Sequence, residues 1–217
     1  MEREAKSQEE GGEEGFVREL VIAGKTLAIQ QQLVGDVNAV LWDAALVAAH
    51  WLAKQPELCA GKTVVELGAG TGAAGLAAAA TGARRVILTD LPDRLELLHR
   101  NARRNREELK ECDVEVEEWE WSRENKTLQE QADVLLAVDC IYYSASVPSL
   151  VNVFRSSSAP TLICIHEKRE IGEPQKAQRL FQELIQEHFD VCAVPEEDLD
   201  DIYRTEDIVV NLFKRKC

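Results

Sequence analysis

The chain has 217 residues, 45% of them hydrophobic, enough for one domain with a proper core and too few for a second of similar size. A formal net charge of -14 argues against a general grip on nucleic acid, which depends on Lys and Arg neutralising phosphates, and suits a basic partner better. No apolar run approaches the ~20 residues of a membrane helix, Met1-Glu2-Arg3-Glu4 lacks the apolar core of a signal peptide, and the histidines and cysteines show no metal-ligand spacing.

In chain order, residues 1–15 carry six Glu against Arg3 and Lys6, with three glycines, and read as a disordered acidic tail. Phe16 to Ile22 and Thr26 to Ile29, around Ala23-Gly24-Lys25, read as a β-hairpin continuing to Gln32. Val40-Leu41-Trp42-Asp43-Ala44-Ala45-Leu46-Val47-Ala48-Ala49 reads as a helix with Asp43 at its start, so 16–60 form an N-terminal hairpin and helix ahead of a core over 61–217. From Thr63 the pattern alternates: strand 63–67, helix 72–81, strand 85–89, helix 93–106, strands 114–118 and 132–138, helix 146–156, strand 161–166, helix 174–187, strands 189–194 and 207–213. That order predicts an α/β fold with a doubly wound, Rossmann-like sheet of seven strands. The six cysteines are scattered through the chain, several inside apolar strand-like runs, and read as free buried thiols of a reducing compartment.

Two clusters carry the chemistry. In Val64-Val65-Glu66-Leu67-Gly68-Ala69-Gly70-Thr71-Gly72 a strand runs into alternating glycines that open a helix, the arrangement of a cofactor loop. Gly68-x-Gly70-x-x-Ala73 also fits the dinucleotide fingerprint, with Asp90 placed 20 residues beyond Gly70 to hold ribose hydroxyls. Glu66 favours a different ligand, because a carboxylate repels a pyrophosphate and attracts an ammonium. S-adenosylmethionine has that ammonium, a sulfonium and no phosphate. The second cluster, Ala132 to Tyr143, ends a buried strand in Asp139-Cys140-Ile141-Tyr142-Tyr143, and the carboxyl end of such a strand faces the same crevice as the glycine loop. Read alone, Asp139 also fits a helix N-cap, Asp90 a turn aspartate before Leu91-Pro92, and Trp42 a core residue ahead of an alanine-rich helix.

Glu66-x-Gly68-x-Gly70-x-Gly72 with Asp90 resembles motif I and the following acidic position of the seven-strand methyltransferases. Together with Val40-Leu41-Trp42-Asp43-Ala44-Ala45, Gly75-Leu76 and Asp139-x-x-Tyr142, it resembles the methyltransferase-like family 21 protein-lysine methyltransferases, from about Phe16 to the end. The resemblance implies an S-adenosylmethionine-dependent fold with its last strand, near 207–213, antiparallel. It also implies a cofactor pocket lined by Trp42, Glu66, Gly68, Ala69, Gly70, Asp90, Trp121, Val138 and Tyr143, with Asp139 facing the lysine amine and Tyr142 beside it. The family usually carries Trp-Gly where this chain has Trp121-Ser122, which leaves the shape of the adenine loop open. Trp121 follows Trp119 at strand spacing, so either could stack on adenine. Glu167-Lys168-Arg169 looks like the family's E-x-R element and makes Glu167 a candidate on the substrate side.

Gln30-Gln31, Asp139-Cys140-Ile141-Tyr142-Tyr143 and Tyr203-Arg204-x-Glu206-Asp207-Ile208 resemble the members that act on valosin-containing protein, an AAA ATPase, and imply that ATPase as partner. A chemical reason supports a lysine target: the amine attacks only when neutral, and a cationic sulfonium nearby disfavours the ammonium. The absence of Asn-Pro-Pro-Tyr or Asp-Pro-Pro-Tyr after the fourth strand of the sheet argues against amides and base amines. The alternatives are a methyltransferase of another protein or small molecule, and a non-catalytic cofactor-binding scaffold. The expected setting is a cytoplasmic monomer, with the nucleus open to it, bound to neither nucleic acid nor membrane.

Overall fold

The computed structural model describes residues 15–32 and 39–216. The proposed acidic tail lies outside them except for Gly15, which already belongs to the first strand. Strands β1 (Gly15–Ile22) and β2 (Lys25–Gln32) pair antiparallel from Gly15 opposite Gln32 to Ile22 opposite Lys25. Ala23 and Gly24, at φ 50° and 79°, join them in the doubly left-handed turn whose twist matches a hairpin. Leu20, Ile22, Leu27 and Ile29 are buried, while the first five residues of β1 are exposed.

The main sheet holds β3 (Thr63–Leu67), β4 (Arg85–Asp90), β5 (Asp113–Glu118), β6 (Val134–Val138), β7 (Thr161–Glu167), β8 (Phe189–Ala193) and β9 (Ile208–Arg215). Their order is β5-β4-β3-β6-β7-β9-β8, parallel except for β9, which runs antiparallel to both neighbours. The expected seven strands and reversed last strand are therefore present. Every residue of β3 and β6 is buried, as strands covered on both faces must be. Alternate side chains supply two cores. Val64, Leu88, Leu136 and Ile163 pack with α1 (Asp43–Lys54), α2 (Ala73–Ala80), Leu98 of α3 (Leu95–Arg104) and the hairpin. Val65, Ile87, Leu135 and Leu162 pack with α4 (Lys126–Gln131), α5 (Val147–Ser156) and α6 (Gly172–Gln186). Phe213 in this second core meets Phe154, Phe181 and Phe189 edge-on at 5.6–6.1 Å between ring centroids.

Two departures from the periodicity have local causes. The strands expected at 114–118 and 132–138 follow one another in the chain but lie parallel on opposite sides of β3 and β4, so a crossover must join them, and α4 supplies it. Six residues are too short for a helical period to show, and the helix depends on Asn125, whose side chain accepts from Leu128 N–H at 3.2 Å. The helix expected over 93–106 begins as a 3₁₀ turn at Pro92–Arg94 and becomes α-helical at Leu95.

The hairpin is held by α3 rather than by the main sheet. Asn101 accepts from Gln30 N–H at 2.8 Å and donates to Gln30 carbonyl at 3.0 Å, and Asn105 repeats this at Ala28 at 2.7 and 3.0 Å. Both asparagines are buried. Two amides one helical turn apart thus complete the open edge of β2, whose backbone groups would otherwise be buried without partners. Asn101 Nδ2 also donates to Thr71 carbonyl in the glycine loop at 2.9 Å, tying the hairpin to the crevice.

Candidate active site

The chain passes from β3 outward to β5 and returns at β6, so a crevice opens beyond the carboxyl ends of β3 and β6, where the strand order reverses. A cleft of about 850 Å³ occupies it. Glu66, Gly68, Ala69, Gly70, Asp90, Trp121, Val138, Asp139, Tyr142, Tyr143 and Trp42, drawn from five places in the sequence, all line it. Trp42 is 39% exposed at the mouth and is no core residue. Of the two paired tryptophans, Trp119 is buried with Nε1 donating to Arg123 carbonyl at 2.9 Å, and the more accessible Trp121 offers the face for stacking.

The glycine loop bends because Gly68, Gly70 and Gly72 take φ of 62°, 54° and 78°. At Gly68 a Cβ would lie 3.0 Å from Cys140 Sγ and 3.1 Å from the Trp121 ring. The Cys140 thiol donates to Leu67 carbonyl at 3.0 Å and fastens the end of β3 to the loop after β6. Cys140 and Cys164 are buried free thiols, pushed upward in pKa mainly by burial. Cys59 is likewise buried, whereas Cys112 and Cys192 are only partly covered, so the expectation of buried thiols holds for three of the five described cysteines.

Within the loop, Ala69 N–H donates to Thr89 carbonyl at 2.9 Å, Gly70 N–H to Asp90 Oδ2 at 2.7 Å and Gly72 N–H to Ala69 carbonyl at 2.7 Å. Amides that would cradle a pyrophosphate are thus already spent inside the protein, and two acids, Glu66 and Asp90, stand beside them in place of cations. The geometry decides against a dinucleotide. Asp90, 7% exposed, also accepts from Leu91 N–H at 2.8 Å; burial raises its pKa, opposed by those two N–H groups. Glu66 is 2% exposed and accepts from Gly75 N–H at 2.8 Å. Burial pushes its carboxyl up to about 8, with the nearby Asp90 pushing the same way and Gly75 N–H pulling it back. Glu66 is therefore largely neutral until a cation enters the cleft, a state the sequence reading did not anticipate.

Asp139 directly follows β6 at φ 52°, in a left-handed region that non-glycine residues seldom adopt and that Asp tolerates better than most. Its N–H donates to Ile165 carbonyl at 2.7 Å, and its Oδ1 accepts from Glu167 N–H at 3.3 Å. Burial raises its pKa, against the lowering pull of that N–H and of the Arg169 guanidinium. Arg169 lines the cleft and pairs with Glu167 at 2.6 Å, so Glu167 acts on the site through Arg169 and its own backbone. The Tyr142 and Tyr143 rings lie 4.7 Å apart, tilted by 59°, with Tyr143 58% exposed. Gln178 and Glu173 of α6 also reach the cleft and went unnoticed in the sequence, where they look like ordinary helix-surface polar residues.

A lysine methyltransferase family model matches residues 22–188. The chain belongs to that lysine methyltransferase family. It is 37% identical over 132 residues to protein N-lysine methyltransferase METTL21A of Danio rerio, a match covering 59% of this chain and 60% of that relative. It is also 29% identical over 198 residues to EEF1A lysine methyltransferase 3 of Mus musculus, covering 89% of this chain and 79% of the relative. The fold is that of the Thermus thermophilus 16S rRNA N2 G1207 methyltransferase RsmC, solved with AdoMet and guanosine, at a TM-score of 0.61 and 15% identity over 93% of this chain and 51% of that one.

S-adenosylmethionine is the methyl donor of this lysine methyltransferase, and the cleft fits it. Asp90 offers a buried carboxylate to two ribose hydroxyls, Trp121 an aromatic face to a purine, and Glu66 a latent negative charge to an ammonium. Among the described residues no group of His, Cys, Asp and Glu could hold a metal ion, and no helix is long and apolar enough to cross a membrane.

Proposed function

We propose that this lysine methyltransferase methylates valosin-containing protein, the AAA ATPase, with Asp139 as the residue that receives the lysine amine. The observation that carries the reading is the position of Asp139: a half-buried carboxylate at a positive φ, lining the same cleft as the glycine loop from the end of the neighbouring strand β6. S-adenosylmethionine, when bound, supplies an electrophilic methyl group on a sulfonium. Asp90 and Trp121 hold the adenosine part, Glu66 and the glycine loop its amino-acid end, and Trp42 and Val138 close the sides. Asp139 draws the substrate ammonium into the cleft and accepts a hydrogen bond from the amine once it is neutral. Tyr142 adds a second polar contact, and with Tyr143 it forms an aromatic wall that keeps the amine in line with the methyl group. The substrate assignment is supported by Gln30-Gln31, Asp139-Cys140-Ile141-Tyr142-Tyr143 and the segment from Tyr203 to Ile208, which resemble the members acting on that ATPase.

The test is incubation with labelled S-adenosylmethionine and purified ATPase, followed by peptide mass spectrometry, with elongation factor 1A as comparison. One methylated lysine on the ATPase is expected. Label on elongation factor 1A alone would replace the substrate, and label in small solutes would replace the reaction class. Asp139→Ala is expected to lower turnover by about 10²–10⁴-fold while the donor's Kd stays within a few-fold; full turnover in that variant removes Asp139 from its role.

A further inference from the structure

The edge of β7 that faces β6 outlasts its partner, because β6 stops at Val138 while β7 continues to Glu167. Side chains take over where the strand ends. Ile165 carbonyl still receives Asp139 N–H at 2.7 Å, but the next group, Glu167 N–H, donates to the Asp139 carboxylate at 3.3 Å. Beyond it Gln178 of α6 takes the following pair: its Nε2 donates to Glu167 carbonyl at 2.6 Å, and its Oε1 accepts from Arg169 N–H at 2.9 Å. A carbonyl and an N–H two residues apart are what a neighbouring strand would bond. The Asp139 carboxylate and the Gln178 amide therefore stand on one ladder and share residue Glu167. Earlier on the same helix, the Glu173 carboxylate accepts from Ser144 N–H at 2.9 Å and from the Ser144 hydroxyl. Ser144 directly follows Tyr142-Tyr143, so α6 grips both ends of the segment that carries Asp139 and the tyrosines.

We propose that Gln178 and Glu173 are positioning residues for methyl transfer, Gln178 setting the Asp139 carboxylate through the backbone of Glu167 and Glu173 setting the tyrosine wall through Ser144. The proposal rests on the role of Asp139 given above. Neither residue takes part in the donor contacts assigned above, so their loss acts on turnover and leaves donor binding intact. Gln178 also has a signature that general loosening lacks. Arg169 is the charge that acts on Asp139, the buried thiols of Cys140 and Cys164 beside it are neutral, and the Glu167 N–H pulls its pKa down. Releasing Glu167 raises that pKa and moves the acidic limb of the pH profile to higher pH.

The experiment uses the full chain and whichever protein substrate the labelling assay identifies. Gln178→Ala, Gln178→Met, Glu173→Ala and Glu173→Gln are compared with the parent by calorimetric donor Kd, kcat, KM, melting temperature and the pH dependence of kcat/KM. Gln178→Met keeps the packing and removes both hydrogen bonds, so it carries the test if the alanine variant does not fold. Expected for the Gln178 variants is a loss of about 10–100-fold in kcat, donor Kd within about 2–3-fold, and an acidic limb displaced upward. Glu173→Gln, which keeps an acceptor for Ser144, is expected to recover most of what Glu173→Ala loses. A Gln178→Met protein with parental kcat and an unmoved acidic limb overturns the proposal. Asp139→Asn, run alongside, separates the two ideas: if it turns over at the parental rate, the role of Asp139 itself is wrong.

Discussion

Glu66 is buried far enough to surrender its charge, and that has a measurable cost. Its carboxyl titrates near 8 in the folded chain against 4.5 as the ordinary value, so between those limits the folded state holds a proton that the unfolded state has lost. The contribution of neutral Glu66 to stability is complete below about pH 4.5 and is lost as pH rises through 8. The ligand-free protein should therefore lose melting temperature from pH 5 to 8 more steeply than Glu66→Gln, as thermal melts at each pH will read. Donor binding should release a proton at pH 7, seen as a buffer-dependent heat in calorimetry and absent in Glu66→Gln. Gly75 is part of the same device: a Cβ there would fall 2.5 Å from Glu66 Oε2 and 2.3 Å from Leu88 Cδ2. Gly75→Ala is expected to cost about 1–3 kcal/mol by overpacking and to weaken donor binding. The acids at strand ends were legible in the sequence because a carboxylate closing an apolar run is conspicuous. Gln178 was not, because an amide among the polar residues of a helix looks like solvated surface until the neighbouring strand end is known.

The strands were the most legible elements, since runs such as Val134 to Val138 tolerate no polar face, and the reversed β9 came with the family resemblance. α4 escaped because its evidence is one capping asparagine. The hairpin was read as a hairpin, yet what holds it was not. Asn101 and Asn105 follow Leu97 and Leu98 at helical spacing, so the inward stripe of α3 turns from apolar to amide halfway along, and that change was the available signal. Asn101→Ala and Asn105→Ala should each cost about 1–3 kcal/mol, because each leaves buried backbone groups of β2 unpaired; chemical denaturation will measure it. The turn offers the opposite sign. Ala23 holds a left-handed conformation that Asn tolerates better, and Ala23→Asn is expected to stabilise by about 0.5–1 kcal/mol, equivalent to about 1–4 °C in melting temperature.

At the scale of the whole molecule, the net charge of -14 is distributed unevenly. The connection from β8 to β9 carries seven acids between Glu196 and Asp207 against the single base Arg204, and it ends beside the exit of β7, where Asp207 carbonyl accepts from Lys168 N–H at 2.6 Å. A field of this sign near the cleft speeds the encounter with a basic protein surface and is screened by salt over about 10 Å at 0.1 M. The KM for the protein substrate should thus rise several-fold between about 50 and 300 mM salt while kcat changes little, which steady-state assays will read. The donor loop and the hairpin, remote in sequence, meet in the single side chain of Asn101, which grips Thr71 and Gln30 together. Deuterium can enter the Gln30 amide only when that grip opens. Loading the loop with donor should slow isotope uptake at Gln30, turning an N-terminal ornament into a remote gauge of cofactor occupancy.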